Sequence, residues 1–379
     1  MKQWICVILF LFPGLVIANE DVTLAIHRHY VTPRALGMGG AINTIVDDYS
    51  ALFFNPAALS RLKEWEWNGN LQLAASTDYL DFVDELSEAT EVGTSDTDSA
   101  RSEAILNVLD RYRGEHFHAR ANLGTVFAGP NKGFAFIPLD LTMEMGINRT
   151  IGTELSAEIY QDTTLAFGMS RKIPKWKGTT VGATVKAIYR GFIGRDLQVI
   201  DLIDDEIIDD GDFQEGLNVD FDLGLLYEPH WWKSKNFVPT YSLVVRNVLD
   251  YGYLKNYNLL NDNSTEPPKM QRRIDVGNAW ELPEFWVFDP KVAIEVHNIL
   301  HDYFNLQKGL HIGAELGWEA YSWLKGAYRM GLNQGYFAAG ISAQLWAFKL
   351  DVATYAEEVG TEDAQIEDRR YQVNMSLDF

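Results

Sequence analysis

The last ten residues, Arg370 to Phe379, constrain the fold more than any other stretch. Tyr371, Val373, Met375, Leu377 and Phe379 alternate strictly with Arg370, Gln372, Asn374, Ser376 and Asp378. Successive side chains of a strand point to opposite faces, so this segment has one apolar and one polar face. The same period returns along the chain. Leu324, Tyr328 and Met330 oppose Lys325 and Arg329, and Phe348, Leu350 and Val352 oppose Lys349 and Asp351. Val219, Phe221, Leu223 and Leu225 oppose Asn218, Asp220, Asp222 and Gly224, and Val181, Ala183, Val185 and Tyr189 oppose Thr184, Lys186 and Arg190. The chain reads as all-β.

A soluble sandwich also alternates, but three features favour a membrane barrel. The segments run to about ten residues, the length of a tilted spanning strand. Aromatics gather at segment ends (Trp65, Trp67, Tyr189, Trp231, Trp232, Trp280, Trp286, Trp318, Trp323, Trp346), as an interfacial girdle requires. The closing strand also ends on Phe379, with Tyr371 on the same face. That ending is similar to the signal used by the outer-membrane barrel assembly machinery. Strands are expected near 64–77, 115–128, 133–147, 152–173, 179–194, 217–228, 240–250, 271–281, 290–300, 309–319, 322–332, 335–346, 347–357 and 369–379. They make a transmembrane antiparallel β-barrel of about 14 strands, an even number as single-chain outer-membrane barrels have.

Export is written at the N-terminus. Lys2 precedes an apolar run from Trp4 to Ala18, with Val16 and Ala18 at the small-residue positions before a cut. This predicts a Sec signal peptide over 1–18, too short for a spanning helix. The single cysteine, Cys6, falls inside it, so a mature chain cut there has no disulfide, thiolate metal site or cysteine nucleophile. The formal charge of -21 argues against nucleic acid as a partner.

Between the signal and the strands lies PRALGMGGAINTIVDDYSALFFNPAAL, residues 33–59. Glycines there allow close backbone packing and positive φ. Asp47 or Asp48 can cap a short helix running to Phe54, and Asn55-Pro56 ends it, because a residue before proline avoids the α region. Residues 19–61 are therefore expected to be a hatch, and 62–379 the barrel. Within the barrel, Leu80, Phe82, Val83, Leu86, Ile105, Leu106, Val108, Leu109 and Tyr112 fall at helical spacing, which predicts a helical insertion at 79–113.

The GMGGA, Asp-Asp and FFNPAAL elements resemble the N-terminal region of the long-chain fatty-acid transporter superfamily of outer-membrane proteins. The nearest likeness is to PorV-like and conjugal-transfer TraF-like branches. GLHIGAELGW (309–318), LKGAYRMGLNQGYFAAGIS (324–342) and the terminal VNMSLDF are similar to the last strands of those branches. The resemblance implies a 14-stranded barrel with a lumenal hatch. In transporting members, hatch movement passes a hydrophobic molecule toward a gap in the wall. The matching hatch positions here are Gly37, Gly39, Gly40, Asp47, Asp48, Asn55, Pro56 and Ala57.

The expected lumen face is polar, with Arg120, Lys186, Arg190, Glu295, Glu315, Lys325 and Arg329 among its charges. Both signs on neighbouring strands favour cross-strand pairing. An apolar pocket for a fatty acid would have to draw on hatch residues such as Leu36, Met38, Phe53 and Phe54, and any of several arginines could take a carboxylate. His27 with His29, and His116 with His118, share strand faces but lack an assigned third ligand, so no metal is expected. The acidic loop 201–215 lacks EF-hand spacing. No GxSxG, HExxH or P-loop occurs, so neither an enzyme nor a cofactor is expected. The expected function is hatch-gated passive diffusion of small hydrophobic, fatty-acid-like molecules across a Gram-negative outer membrane. Its expected partners are outer-membrane lipid, the assembly machinery and a hydrophobic small molecule. The alternative is a non-transporting binding or scaffold protein of a secretion or envelope system.

Overall fold

A computed structural model describes residues 26–91, 98–147, 154–199, 201–202, 212–229, 237–254, 259, 265–360 and 364–379. The expected signal peptide, most of the acidic loop, and Trp231 and Trp232 lie outside the described residues. Fourteen antiparallel strands form one closed barrel in chain order. They are β1 (Glu66–Ser76), β2 (His116–Gly129), β3 (Lys132–Ile147), β4 (Leu155–Lys172), β5 (Thr179–Leu197), β6 (Phe213–Tyr227) and β7 (Pro239–Arg246). The rest are β8 (Arg273–Glu281), β9 (Phe288–Ile299), β10 (Leu310–Tyr321), β11 (Leu324–Asn333), β12 (Tyr336–Leu345), β13 (Phe348–Glu358) and β14 (Glu367–Asp378). The chain ends close the ring: β1 pairs with β14 in the register Leu71 to Met375. Phe379 and Trp67 exchange backbone bonds of 2.8 and 2.9 Å beside that ladder. No edge is left unpaired there.

The alternation places apolar side chains outside and polar ones inside. Leu73, Phe134, Phe167, Val185, Tyr328, Met330 and Met375 are exposed on the exterior, while Asn70, Thr184, Asp222, Arg329 and Asn374 are buried in the lumen. At the end carrying the short turns, Trp65 stacks on Phe127, Trp67 meets Phe379, and Trp323 meets Trp346. The opposite end carries the longer connections and one tight hairpin, where Gln334 and Gly335 take φ of 54° and 90°, as a two-residue turn requires.

The wall is uneven, which a uniform ten-residue expectation misses. β3 to β6 run 16, 18, 19 and 15 residues, whereas β11 and β12 have 10 each. The expected segment 152–173 holds a single strand, β4, and β5 and β6 both extend past their expected limits, 194 and 217. Two helices, α3 (Tyr79–Glu91) and α4 (Asp98–Arg111), account for the extra height. Phe82, Ile105 and Leu109 pack on Phe117, Ile147, Leu155 and Leu197, near the far ends of β2 to β5. β7 falls short instead. Its ladder with β6 spans only Leu223–Val245 to Tyr227–Tyr241, and the loop beyond Arg246 takes its place. Leu254 bridges Leu217, Tyr251 Oη bonds both Val219 N and O at 3.0 and 2.9 Å, and Asp220 accepts from Leu249 N.

Candidate functional site

The lumen is filled by residues 26–62. The first few cross it in extended form, where Arg120 donates to the carbonyls of Arg28 and His29 at 3.0 and 3.1 Å. Thr32 then caps a short helix, α1 (Pro33–Gly37), by accepting from Ala35 N. A second helix, α2 (Ala51–Phe54), is opened by Asp48, which accepts from Ser50 N at 2.9 Å and from its hydroxyl. Asn55 leaves the helical region (φ -150°) and its Oδ1 caps the following 3-10 turn, Pro56–Arg61, through Ala57 N.

This hatch sits in notches cut by glycine. A Cβ on Gly313 or Gly331 would fall 2.3 and 2.5 Å from the Met38 backbone, and these two glycines are cross-strand partners on β10 and β11. Gly182 and Gly224, partners on β5 and β6, meet Pro56 and Asn55 in the same way, at 2.3 and 2.2 Å. Gly277 faces the Thr44 hydroxyl, and Gly340 faces Gly37 backbone to backbone. Real Cβ atoms do not approach so closely, so side chains at these wall positions would push the hatch away. Gly39 has the reciprocal need: its φ is +61°, and a Cβ there would lie 2.5 Å from Leu332 O.

Charges complete the seat. Arg34 donates to Glu315 through Nε and Nη2 (2.9 and 2.7 Å) and to Asp47 and Asp48 through Nη1 (2.8 and 2.6 Å). Glu315 also receives Arg329 Nε at 2.6 Å, and Asp47 receives Lys291 Nζ at 2.6 Å. Burial by itself would raise the pKa of Asp47 and Asp48. Arg34 outweighs it, with Lys291 and Lys349 assisting, and holds both below the ordinary carboxylate range. Glu295 accepts from Thr44 N and Asn43 N at 2.8 and 3.1 Å. Arg246, paired with Asp275 at 2.9 Å, donates to the carbonyls of Phe53 and Phe54 that end α2.

Two cavities flank the hatch. A vestibule of about 620 Å³ lies at the short-turn end, between Arg34, Asp47 and Asp48 and the wall residues Trp318, Lys325 and Phe379. A smaller cavity of about 80 Å³ lies deeper, among Tyr30, Phe53, Phe54, Ile137, Ile188 and Arg273. Beside Ile137 the wall is irregular. β3 pairs through Ile137 and again through Asp140 on its β4 side, with a shift between them, and a second shift lies at Leu123/Thr125 on its β2 side. Pro138 sits in that break and has no N–H to donate.

All eight matched hatch positions lie in or beside this seat. Of the expected lumen charges, Arg120 pairs with Asp140, Lys186 with Asp222, and Arg190 with Asp162, at 2.6, 2.8 and 2.6 Å. Lys325 stands exposed at the vestibule mouth. The histidine pairs do gain carboxylate neighbours: Asp162 for His27 and His29, and Glu144 and Asp368 for His116. In both clusters an arginine already bonds the carboxylates, Arg190 to Asp162 and Arg370 to Glu144 and Asp368. A metal would have to displace a guanidinium in each. Sequence reading overlooked Arg34, Arg246 and the wall glycines. The glycines had a legible signal, since Gly182, Gly224, Gly313 and Gly331 all fall on the polar parity of their strands.

No family model and no curated protein matches the sequence. Solved structures do. The toluene transporter TbuX of Ralstonia pickettii aligns with 11% identity and a TM-score of 0.49, over 92% of this chain and 98% of that one. The CymD monoaromatic hydrocarbon channel aligns at 10% identity and TM-score 0.45, over 91% and 96% of the two chains. A FadL homologue of Pseudomonas aeruginosa follows at 9% and 0.41, over 91% and 96%. A likeness of this degree does not extend to chemistry.

Proposed function

We propose that this protein is an outer-membrane barrel through which small hydrophobic molecules pass by passive diffusion, with the hatch as the gate. The observation that carries this reading is the coincidence of three things at one place: the inner cavity, its apolar lining by Tyr30, Phe53, Phe54 and Ile137, and the break in β3 beside Ile137. An apolar solute on the Ile137 side of the cavity would lie beside that irregularity in the wall, and moving it outward would take it from an apolar surface into an apolar medium. The exposed apolar exterior and the aromatic short-turn end support a membrane setting. The hatch is bound to the wall by side chains and close packing, so it can shift without unzipping the strands.

A cross-link tests both halves. Thr44 Oγ1 on the hatch and Ser242 Oγ on β7 are 2.6 Å apart, so sulfurs in their place come within reach of a disulfide of about 2.05 Å. Cells carrying Thr44→Cys/Ser242→Cys should take up labelled long-chain fatty acid or toluene when reduced. Oxidation should bring uptake down to that of cells lacking the gene. Uptake unchanged by oxidation would remove the hatch from the mechanism. Equal uptake with and without the gene would remove transport.

A further inference from the structure

The inner cavity has an imbalance of charge that the hatch and wall do not resolve. Four cations line it, Arg28, Lys186, Arg246 and Arg273, against two acids, Asp222 and Asp275. Lys186 takes Asp222 at 2.8 Å and Arg246 takes Asp275 at 2.9 Å. Arg28 approaches Glu357 at only 3.7 Å, and its Nη2 has no hydrogen-bond partner. Arg273 is the outlier. It is 7% exposed, no carboxylate lies within 4 Å of it among the described residues, and its Nε has no partner. Its two contacts, to His27 O and Asn298 Oδ1, are both 3.4 Å long, at the weak limit for a hydrogen bond.

A guanidinium stays charged at any pH a protein meets, so this burial cannot be relieved by losing a proton. An uncompensated buried charge is strongly unfavourable, and the low local dielectric that makes it so also strengthens any anion bound beside it. The cavity, about 80 Å³, has room for a small ion. We propose that it holds one small monovalent anion, halide- or formate-sized, bound by Arg273 and Arg28. The anion ties the extended N-terminal segment at His27 and Arg28 to β8. The site shares its cavity with the transport reading, but its test reads anion binding and stands whether or not a solute passes.

The test uses the full mature chain in detergent at constant ionic strength, with gluconate replaced stepwise by chloride, formate or sulfate. Chloride or formate should raise the melting temperature saturably by about 3 °C once well above its Kd, and sulfate, too large and divalent, should not. The more effective of the two anions identifies the natural occupant as a halide or a carboxylate. Arg273→Gln should abolish the rise. Should that variant not fold, wild-type crystals grown in bromide decide the matter, with an anomalous peak expected beside the Arg273 guanidinium. A rise that is linear and equal in wild type and variant, or a bromide crystal with no peak in the cavity, would overturn the proposal.

Discussion

Replacing Arg34 by methionine should loosen the hatch while leaving the barrel standing. Arg34 is 8% exposed, and its guanidinium holds three carboxylates with four bonds. Removing one partner of a buried ion pair costs about 3–5 kcal/mol. Here the carboxylates keep other partners, Arg329, Lys291 and Ser50. Asp47 is also 36% exposed toward the vestibule, where water screens it. The lower end, about 3 kcal/mol, is therefore expected, and at about 1.4 kcal/mol per tenfold it raises the open population about a hundredfold. Thr44→Cys gives the assay, since Thr44 is fully buried against the wall and the only native cysteine is Cys6. Maleimide labelling of that cysteine, normalised to the unfolded chain at each pH, reports the open fraction. At pH 7 the Arg34→Met background should label about a hundred times faster.

The pH dependence carries the sign. With Arg34 present, Asp47 and Asp48 have depressed pKa values. Their contribution is complete above the ordinary carboxylate pKa near 4 and is lost as pH falls through the lower folded values. Wild-type labelling should stay flat from pH 7 to about 5 and rise only below about 4. Without Arg34 the two acids lose the largest influence holding their pKa down, so they take up protons at higher pH than in the wild type and the variant's excess labelling should shrink as pH drops from 7 toward about 4. A labelling ratio near one at pH 7 would refute the claim that Arg34 holds the hatch.

Other perturbations separate packing from charge. Gly331→Val puts a branched side chain into the Met38 backbone and should cost the hatch about 1–3 kcal/mol, read as faster labelling that pH does not rescue. Arg246→Met strips the carbonyls of Phe53 and Phe54 of a donor and leaves Asp275 buried without that cation. It should lower the melting temperature and also speed labelling. Deleting Phe379 removes its backbone bonds to Trp67 at the seam, and the fraction of heat-modifiable barrel on gels should fall. An unchanged fraction would show that the closing strand holds without its last residue.

Strand existence was legible because a one-residue slip exchanges the two faces, so lumen and exterior had to be written in opposite parities. That is why all 14 strands and the polar lumen could be read from pattern. Strand height was not legible, because the far ends of β3 to β5 are stabilised by α3 and α4, a contact no local pattern encodes. The hatch could be delimited by its glycines and by Asn55-Pro56, each with a local backbone reason. Its anchoring could not. Arg34 lies 281 positions from Glu315, and Arg246 lies 193 from Phe53, so only the closed ring brings them together. Likewise nothing local to Arg273 marks it as unpaired, since Asp275 two residues on shares its face but is taken by Arg246.

The glycine notches have a consequence for how the molecule is put together. Those that meet the hatch most tightly lie on β4, β5, β6, β8, β10 and β11, whereas β1 and β14, which meet at the ring's seam, and their neighbours β2 and β13 contribute none that touch it. A sheet running from β3 to β12 therefore already carries every glycine notch for the hatch while its two flanks, with Arg120 on β2 and Ala353 and Tyr355 on β13, are still apart. The hatch, tethered directly to β1, can settle into that mould before β1 finds β14. Closure then traps it without asking any backbone to thread past another. A single pairing event, the last, converts an open trough into a stoppered tube.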